Sequence, residues 1–264
     1  MALKIVELDE HLENRFWEHV GKTPLDYYWF ILDWRFQRPD TRIFMAMDVE
    51  RIDGMMLVFQ NTIVQLRGSR DAVGALLGRL DVKTAELTAP VDCEDIVSKR
   101  YRDPAAYELM IMHMERGQER PQVSHETERL TQGDAEGVAR VVMEANYEWW
   151  DDVTAERVRK SFEKNLWVGI RREGRVVAVG GARYEEIGCN IGIIATDEAY
   201  RNQGFATSIV SYLVKEIFRT HTKALIHVLT SNQPAVHVYS KVGFRPYRSF
   251  FMIRKGERIA ENQS

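Results

Sequence analysis

Two stretches of the 264-residue sequence carry residue types whose spacing suits chemistry. The first is Thr196-Asp197-Glu198-Ala199-Tyr200-Arg201-Asn202-Gln203-Gly204-Phe205-Ala206-Thr207, which joins an apolar strand to a long amphipathic helix. Small residues at Gly204 and Ala206 allow backbone to come close to a ligand. At a strand-loop-helix junction several N–H groups converge, and the helix macrodipole adds about half a positive charge there. Such a junction suits a pyrophosphate, with Arg201 available for charge-assisted hydrogen bonds. It is neither a P-loop nor a dinucleotide G-x-G-x-x-G. Taken alone, it also fits a tight turn before a capped helix. The second stretch begins about thirty residues on: Ser231-Asn232-Gln233-Pro234-Ala235-Val236-His237-Val238-Tyr239-Ser240-Lys241-Val242-Gly243-Phe244-Arg245.

Together these stretches resemble the GNAT superfamily of acyl-CoA-dependent N-acyltransferases. The first is similar to its coenzyme loop, Arg/Gln-x-x-Gly-x-Gly/Ala. The second is similar to its Asn-x-x-Ala-x-x-x-Tyr-x-x-x-Gly-Phe motif, matched by Asn232, Ala235, Tyr239, Gly243 and Phe244. The resemblance covers roughly the second half of the chain. It implies an α+β GNAT fold, a mixed and mostly antiparallel sheet flanked by helices, with acetyl-CoA as cosubstrate. It also implies site roles. Ile193, Ile194, Ala195 and Thr196 would pair with the pantetheine arm, and the Ile194 N–H would polarise the acyl carbonyl, an oxyanion-hole role. Arg201, Asn202, Gln203, Gly204, Phe205, Ala206 and Thr207 would hold the pyrophosphate. Asn232, beside Ala235, would hydrogen-bond the pantetheine amide. Tyr239 would protonate the leaving thiolate. A model thiol has a pKa of about 8.5 and a tyrosine about 10, so a neutral tyrosine is a competent donor. The plain structural reading of Tyr239 is a core aromatic.

An amine nucleophile must lose a proton, so a general base is expected. Many family members carry a Glu early in the strand before the coenzyme loop; Asn190 holds that register here and cannot act as a base. Glu186 on the preceding hairpin and His227 on the next strand are the candidates, against a solvated glutamate and a structural histidine. The segment Tyr147-Glu148-Trp149-Trp150-Asp151-Asp152 joins the two helices that open this half. With Trp149, Trp150 and Asp151 it would form an aromatic, anionic wall for a cationic small-molecule or peptide amine. The alternative is core tryptophans and a capping acid.

The elements that must position these groups read as α-α-β-β-β-α-β-α-β. Thr131 and Asp134 have capping-box spacing, followed by Val138, Val141 and Val142 at helical spacing. A second helix starts near Thr154. Residues 166–170 and 175–184 read as a hairpin, and 191–195 as a central strand. A helix runs from Gly204 to about Thr220 with Phe205, Ile209, Leu213 and Ile217 on one face. A strand at 224–229, a short helix ending at Gly243 and a last strand at 250–254 complete the half. The first half is a faint echo. Strands at 43–47, 55–59 and 62–66 are followed by a helix at 71–80 and a strand at 85–88. Gln65-Leu66-Arg67-Gly68-Ser69-Arg70-Asp71 lacks the Arg-x-x-Gly-x-Ala spacing. This suggests a degenerate copy that has lost the coenzyme and serves substrate docking or structure. The polar run Glu115–Glu128 reads as a linker, dividing the chain into 1–121 and a catalytic 122–264.

Composition bounds the rest. Lys plus Arg is 36 and Asp plus Glu is 39, a net charge of −3, which argues against general nucleic-acid binding. No segment is apolar enough to span a bilayer, and the N-terminus lacks a signal-peptide core. The expectation is a cytoplasmic protein with no nucleic-acid or membrane partner. A homodimer through strand edges near the C-terminus stays open. Cys93 and Cys189 could form at most one disulfide, and no metal motif is present. The leading function is an acetyl-CoA-dependent N-acetyltransferase working by direct attack in a ternary complex. The alternatives are a non-catalytic acyl-CoA sensor and an interaction module on a GNAT scaffold.

Overall fold

The computed structural model describes residues 3–145 and 153–260. Chain order runs β1 (Lys4–Glu7), α1 (Glu13–Lys22), α2 (Tyr28–Phe36), β2 (Thr41–Asp48), β3 (Arg51–Phe59), β4 (Ile63–Gly68), α3 (Arg70–Arg79), β5 (Thr84–Pro90), α4 (Glu94–Ser98), β6 (Tyr101–Arg102) and β7 (Ala106–Glu115). It continues with β8 (Glu128–Arg129), α5 (Ala135–Ala145), α6 (Ala155–Ser161), β9 (Asn165–Arg172), β10 (Arg175–Arg183), β11 (Cys189–Thr196), α7 (Phe205–Ile217), β12 (Lys223–Leu229), α8 (Gln233–Val242) and β13 (Arg245–Arg258). Two compact units result. The first takes the chain up to Met110, Leu229–Ser231 and everything from Arg248; the second takes Ile111–Val228 and Asn232–Tyr247. The boundary expected near residue 122 therefore falls inside the second unit.

In the first unit β1 to β5 lie side by side in sequence order, antiparallel except for β4 and β5, and β13 pairs with β5. Helix α2 buries Tyr28, Phe30, Ile31, Leu32 and Trp34 over most of its girth, leaving Arg35 and Phe36 at its end exposed. Ser69 caps α3 by accepting from the Ala72 N–H. Leu76, Leu77 and Val73 of that helix join Met56, Leu66 and Leu87 in one core.

In the second unit the sheet runs β12-β11-β10-β9-β8, again with one parallel pair, β11 with β12. The capping box of Thr131 and Asp134 forms as the spacing predicts. Val138, Val141 and Val142 of α5 and Val158 of α6 pack on Trp167, Val176, Val179 and Ala195, one face of the sheet. Helix α7 covers the other face. A Cβ on Gly180 would run into Ile209 and Leu213 of α7, so glycine there sets how closely the helix approaches.

The polar run before β8 is not a free linker. The Gln122 N–H donates to Ser211 Oγ at 2.9 Å, and the Ser124 and His125 N–H groups donate to Ser208 Oγ at 3.2 Å each. Both serines are fully buried on α7. Polar side chains in this run face solvent while its backbone donors are satisfied by the helix, which is why composition alone reads as linker.

Candidate active site in the second unit

The site begins where a strand loses a neighbour. β11 pairs with β12 only through Cys189↔Ala224, Asn190↔Leu225 and Ile191↔Ile226. On its other side β11 stays paired with β10 to the end, Ile194 opposite Gly180 and Thr196 opposite Ala178. The register slips by one residue at Gly192, a bulge of the kind that bends a strand. The Asp197 N–H donates to the Val177 carbonyl at 2.9 Å. Antiparallel pairs alternate, so Ala195 also bonds β10, while Ile194 and Thr196 turn their N–H and C=O groups the other way, into the gap beside β12. Ile193 and Ala195 point their side chains into the α5/α6 core. Ile194 stands on the α7 face, beside Gly180.

The gap leads to the N-terminus of α7. Asp197 Oδ1 accepts from the Ala199 N–H and starts a single 3-10 turn, after which Asn202 (φ 62°) and Gly204 (φ 83°) take left-handed backbone. No side chain caps α7, so its first N–H groups remain for a ligand. Gly204 is exposed, and a Cβ there would touch Ser124 Oγ at 3.4 Å. Gln203 is exposed as well, whereas Phe205 and Thr207 are buried and offer only backbone.

Arg201 departs from its expected role. Its guanidinium donates to the Ala145 carbonyl at 3.2 Å and the Thr196 carbonyl at 3.4 Å, tying Ala145 of α5 to the end of β11. Two backbone carbonyls thus share the guanidinium.

Asn232 also differs. Its Oδ1 caps α8, accepting from the Ala235 N–H at 3.2 Å. Only its amide nitrogen is left to donate to a ligand. Tyr239 lies on α8, 7% exposed, its ring edge-on to Phe244. Burial pushes its hydroxyl well above the ordinary tyrosine range, so it holds its proton throughout.

The two base candidates separate. Glu186 sits on the exposed turn before β11. The five steps of strand from Cys189 to Ile194 span roughly 16 Å, so Glu186 and Ile194 are not brought together. His227 is the residue of β12 immediately after the last pair, at the mouth of the gap, and its Nδ1 lies 3.4 Å from Asn190 Oδ1. When the amide oxygen accepts, the ring proton sits on Nδ1 and Nε2 carries the lone pair. Asn190 opposes Arg183, two residues from Gly181, which opposes Trp167. These side chains therefore share the α5/α6 face, opposite α7. Asn190 was missed as a site residue because it cannot itself act as a base. Trp149, Trp150 and Asp151 lie outside the described residues.

Residues 167–252, about a third of the chain, match the family model described as FR47-like protein. No curated protein matches the sequence. Among solved structures, a tandem GNAT protein from the clavulanic acid biosynthesis pathway superposes with a TM-score of 0.63 at 12% identity, over 99% of this chain and 100% of that one. This is a GNAT-type fold. A GCN5-related N-acetyltransferase from Sphaerobacter thermophilus gives 0.57 at 14% identity, over 83% of this chain and 80% of that one. A GNAT-family acetyltransferase from Colwellia psychrerythraea gives 0.59 at 10%, over 96% and 99%. The near-complete cover of the tandem protein agrees with the fold class read from sequence, a GNAT unit preceded by a degenerate copy.

How the first GNAT-type unit has degenerated is visible at the corresponding strands. β4 and β5 also part, after Gln65↔Thr88. The Ser69 N–H bonds the Asp53 carbonyl, so by the same alternation Leu66 turns its carbonyl toward the gap. Here Arg67 takes it. The buried guanidinium donates to the Leu66 carbonyl at 2.8 Å, the Asp26 carbonyl at 2.9 Å and Gln65 Oε1 at 3.1 Å, and lies 3.7 Å over the Phe250 ring. Burial pushes its pKa down to about 10, which leaves it charged at neutral pH. β4 enters α3 through Ser69 alone, with no loop like 197–204.

Among the described residues no cluster of His, Cys, Asp and Glu is arranged to hold a metal ion. Cys93 and Cys189 are both free thiols, buried, and burial pushes each up to about 11. Among the described residues no helix is long and apolar enough to cross a membrane.

Proposed function

We propose that the second unit binds an acyl-coenzyme A, acetyl-CoA in the first instance, and passes the acyl group to an amine. The supporting observation is the one-sided strand: Ile194 presents its N–H and C=O, and Thr196 its N–H, to a gap that ends at an uncapped helix N-terminus. An extended arm with amide groups can take the place of the missing strand, and a diphosphate can take the free N–H groups beyond Gly204. The residues present fit that group, and the acetyltransferase names of the similar structures agree with it.

The coenzyme supplies the acyl thioester. The Ile194 N–H donates to the thioester carbonyl oxygen and binds it more strongly as negative charge develops there. His227, steadied by Asn190, takes a proton from the amine nitrogen at Nε2. The Tyr239 hydroxyl faces a thiol of pKa about 8.5 with a pKa raised above its own ordinary 10, so it serves the departing sulfur as a hydrogen-bond donor. The acceptor is a small-molecule or peptide amine, approaching from the α5/α6 face where His227 stands. Trp149, Trp150 and Asp151 on the adjoining segment favour a cationic one.

The test is thiol release from acetyl-CoA on a panel of primary amines. Turnover that depends on the amine supports the transferase. A second reading, a coenzyme-binding sensor, is favoured by Asn190 standing where a carboxylate base would be expected. It predicts tight coenzyme binding with no amine-dependent thiol release.

A further inference from the structure

We infer that His125, outside both sequence motifs, positions the coenzyme loop. Its place is fixed by the run bonded along α7, which sets the imidazole against the first turn of that helix, ring centroid 4.3 Å from that of Phe205. One ring nitrogen, Nδ1, lies 3.0 Å from a guanidinium nitrogen of Arg172; the other, Nε2, lies 2.6 Å from the Gln203 carbonyl oxygen. A guanidinium only donates and a carbonyl only accepts. Nδ1 is therefore the acceptor and Nε2 carries the proton. Arg172 is itself held by stacking over Phe205 at 4.8 Å. The pair of partners permits a single neutral tautomer.

The consequence lies in the Gln203–Gly204 peptide. It is trans, as are all the peptide bonds among the described residues, so its carbonyl and the Gly204 N–H point in opposite directions. With the carbonyl drawn onto His125, the Gly204 N–H is aimed away from His125. Released, the peptide could turn its carbonyl, the electron-rich end, toward the same ligand. A diphosphate accepts from N–H groups and is repelled by carbonyls, so His125 raises affinity for the diphosphate part of the coenzyme. The pantetheine part, held at Ile194 and Thr196, is indifferent to it.

This rests on the coenzyme reading above, and the test separates the two. CoA is titrated by calorimetry into the wild type, His125→Ala and His125→Gln, and pantetheine, which lacks the diphosphate, is measured by displacement of CoA. Glutamine places an N–H donor at the same bond count as Nε2. The expected result is CoA binding weakened about tenfold in His125→Ala, pantetheine affinity within about twofold of wild type, and His125→Gln restored to within about threefold. Equal CoA binding by wild type and His125→Ala overturns the proposal. So does an equal loss for both ligands, which marks general structural damage, or a failure of glutamine to rescue. A wild type that binds no CoA overturns the coenzyme reading itself, and this inference with it.

Discussion

The amide oxygen of Asn190 stands 3.4 Å from Nδ1 of His227, across the last rungs at which β11 and β12 remain together. The contact orients a ring nitrogen at the mouth of the gap, on the face away from α7. Replacing His227 by Gln keeps the size and removes the base. The expected outcome is a fall in kcat of about 10² or more, the usual scale for loss of a general base, with KM for acetyl-CoA within a few-fold. Glu186→Gln serves as the control and should leave both constants unchanged. Steady-state kinetics on the amine found in the panel check this; a kcat loss in Glu186→Gln instead would reverse the assignment.

Arg201 carries the positive charge of the loop motif, yet it bonds the carbonyls of Ala145 and Thr196. Arg201→Ala should therefore change CoA affinity less than about threefold, where loss of a direct phosphate contact costs at least tenfold. The salt dependence of binding should stay as in the wild type. A steep affinity loss with a shallower salt slope would mean that the guanidinium meets the phosphates after all.

Glu216 on α7, only 7% exposed, accepts from Arg129 on β8 and from Arg219. The hydrogen bond from Arg129 is the main influence that holds its carboxyl below the ordinary 4.5. The folded pKa is depressed, so the stabilisation is complete above about pH 4.5 and disappears as pH falls through the lower folded value. Both arginines are more than half exposed, which limits the gain to about 1 kcal/mol. Glu216→Gln should be less stable than wild type at pH 7 by that amount, with the two converging as pH falls through the lowered folded value. Urea midpoints measured across pH would show it; a gap that is constant with pH would not fit.

Arg67 in the first unit is the donor to Leu66, Asp26 and Gln65 inside a closed site. Arg67→Met keeps the stem and strands those acceptors without water. The expected cost is about 3 kcal/mol or more, read from urea unfolding. A near-neutral effect would mean that the gap admits solvent and is open to a ligand.

Local patterns were legible in the sequence where a residue's role depends on near neighbours. The turn between β9 and β10, the apolar stripe of α7, the glycine loop before it and the Asn-to-Phe motif on α8 all lie where spacing placed them. The gap follows only from the family resemblance, in which this strand splays from the next, and not from local pattern, because the end of strand pairing at Ile191 depends on a partner thirty-five residues away. Sequence spacing offers Arg201 and Asn232 to a ligand, yet backbone engages each of them: the Ala145 and Thr196 carbonyls for one, the Ala235 N–H at the start of α8 for the other. His125 was hidden for the converse reason. It lies in a run whose composition is that of a linker, and what fixes the run is two buried serines more than eighty residues on. The split membership of β13 shares that cause, since strand pairing across the chain leaves no local mark.

On the proposed function, the gap beside β11 and the loop at Gly204 hold an acyl-coenzyme A. Calorimetric titration of acetyl-CoA into the wild type and Gly204→Glu is the measurement to make. The substitution puts a Cβ at φ 83°, beside Ser124, and a negative charge where the diphosphate belongs. The expected result is binding by the wild type with a micromolar dissociation constant, about −8 kcal/mol, and at least a tenfold loss in a variant that keeps its circular dichroism. No binding by the wild type, or equal binding by both proteins, would contradict it.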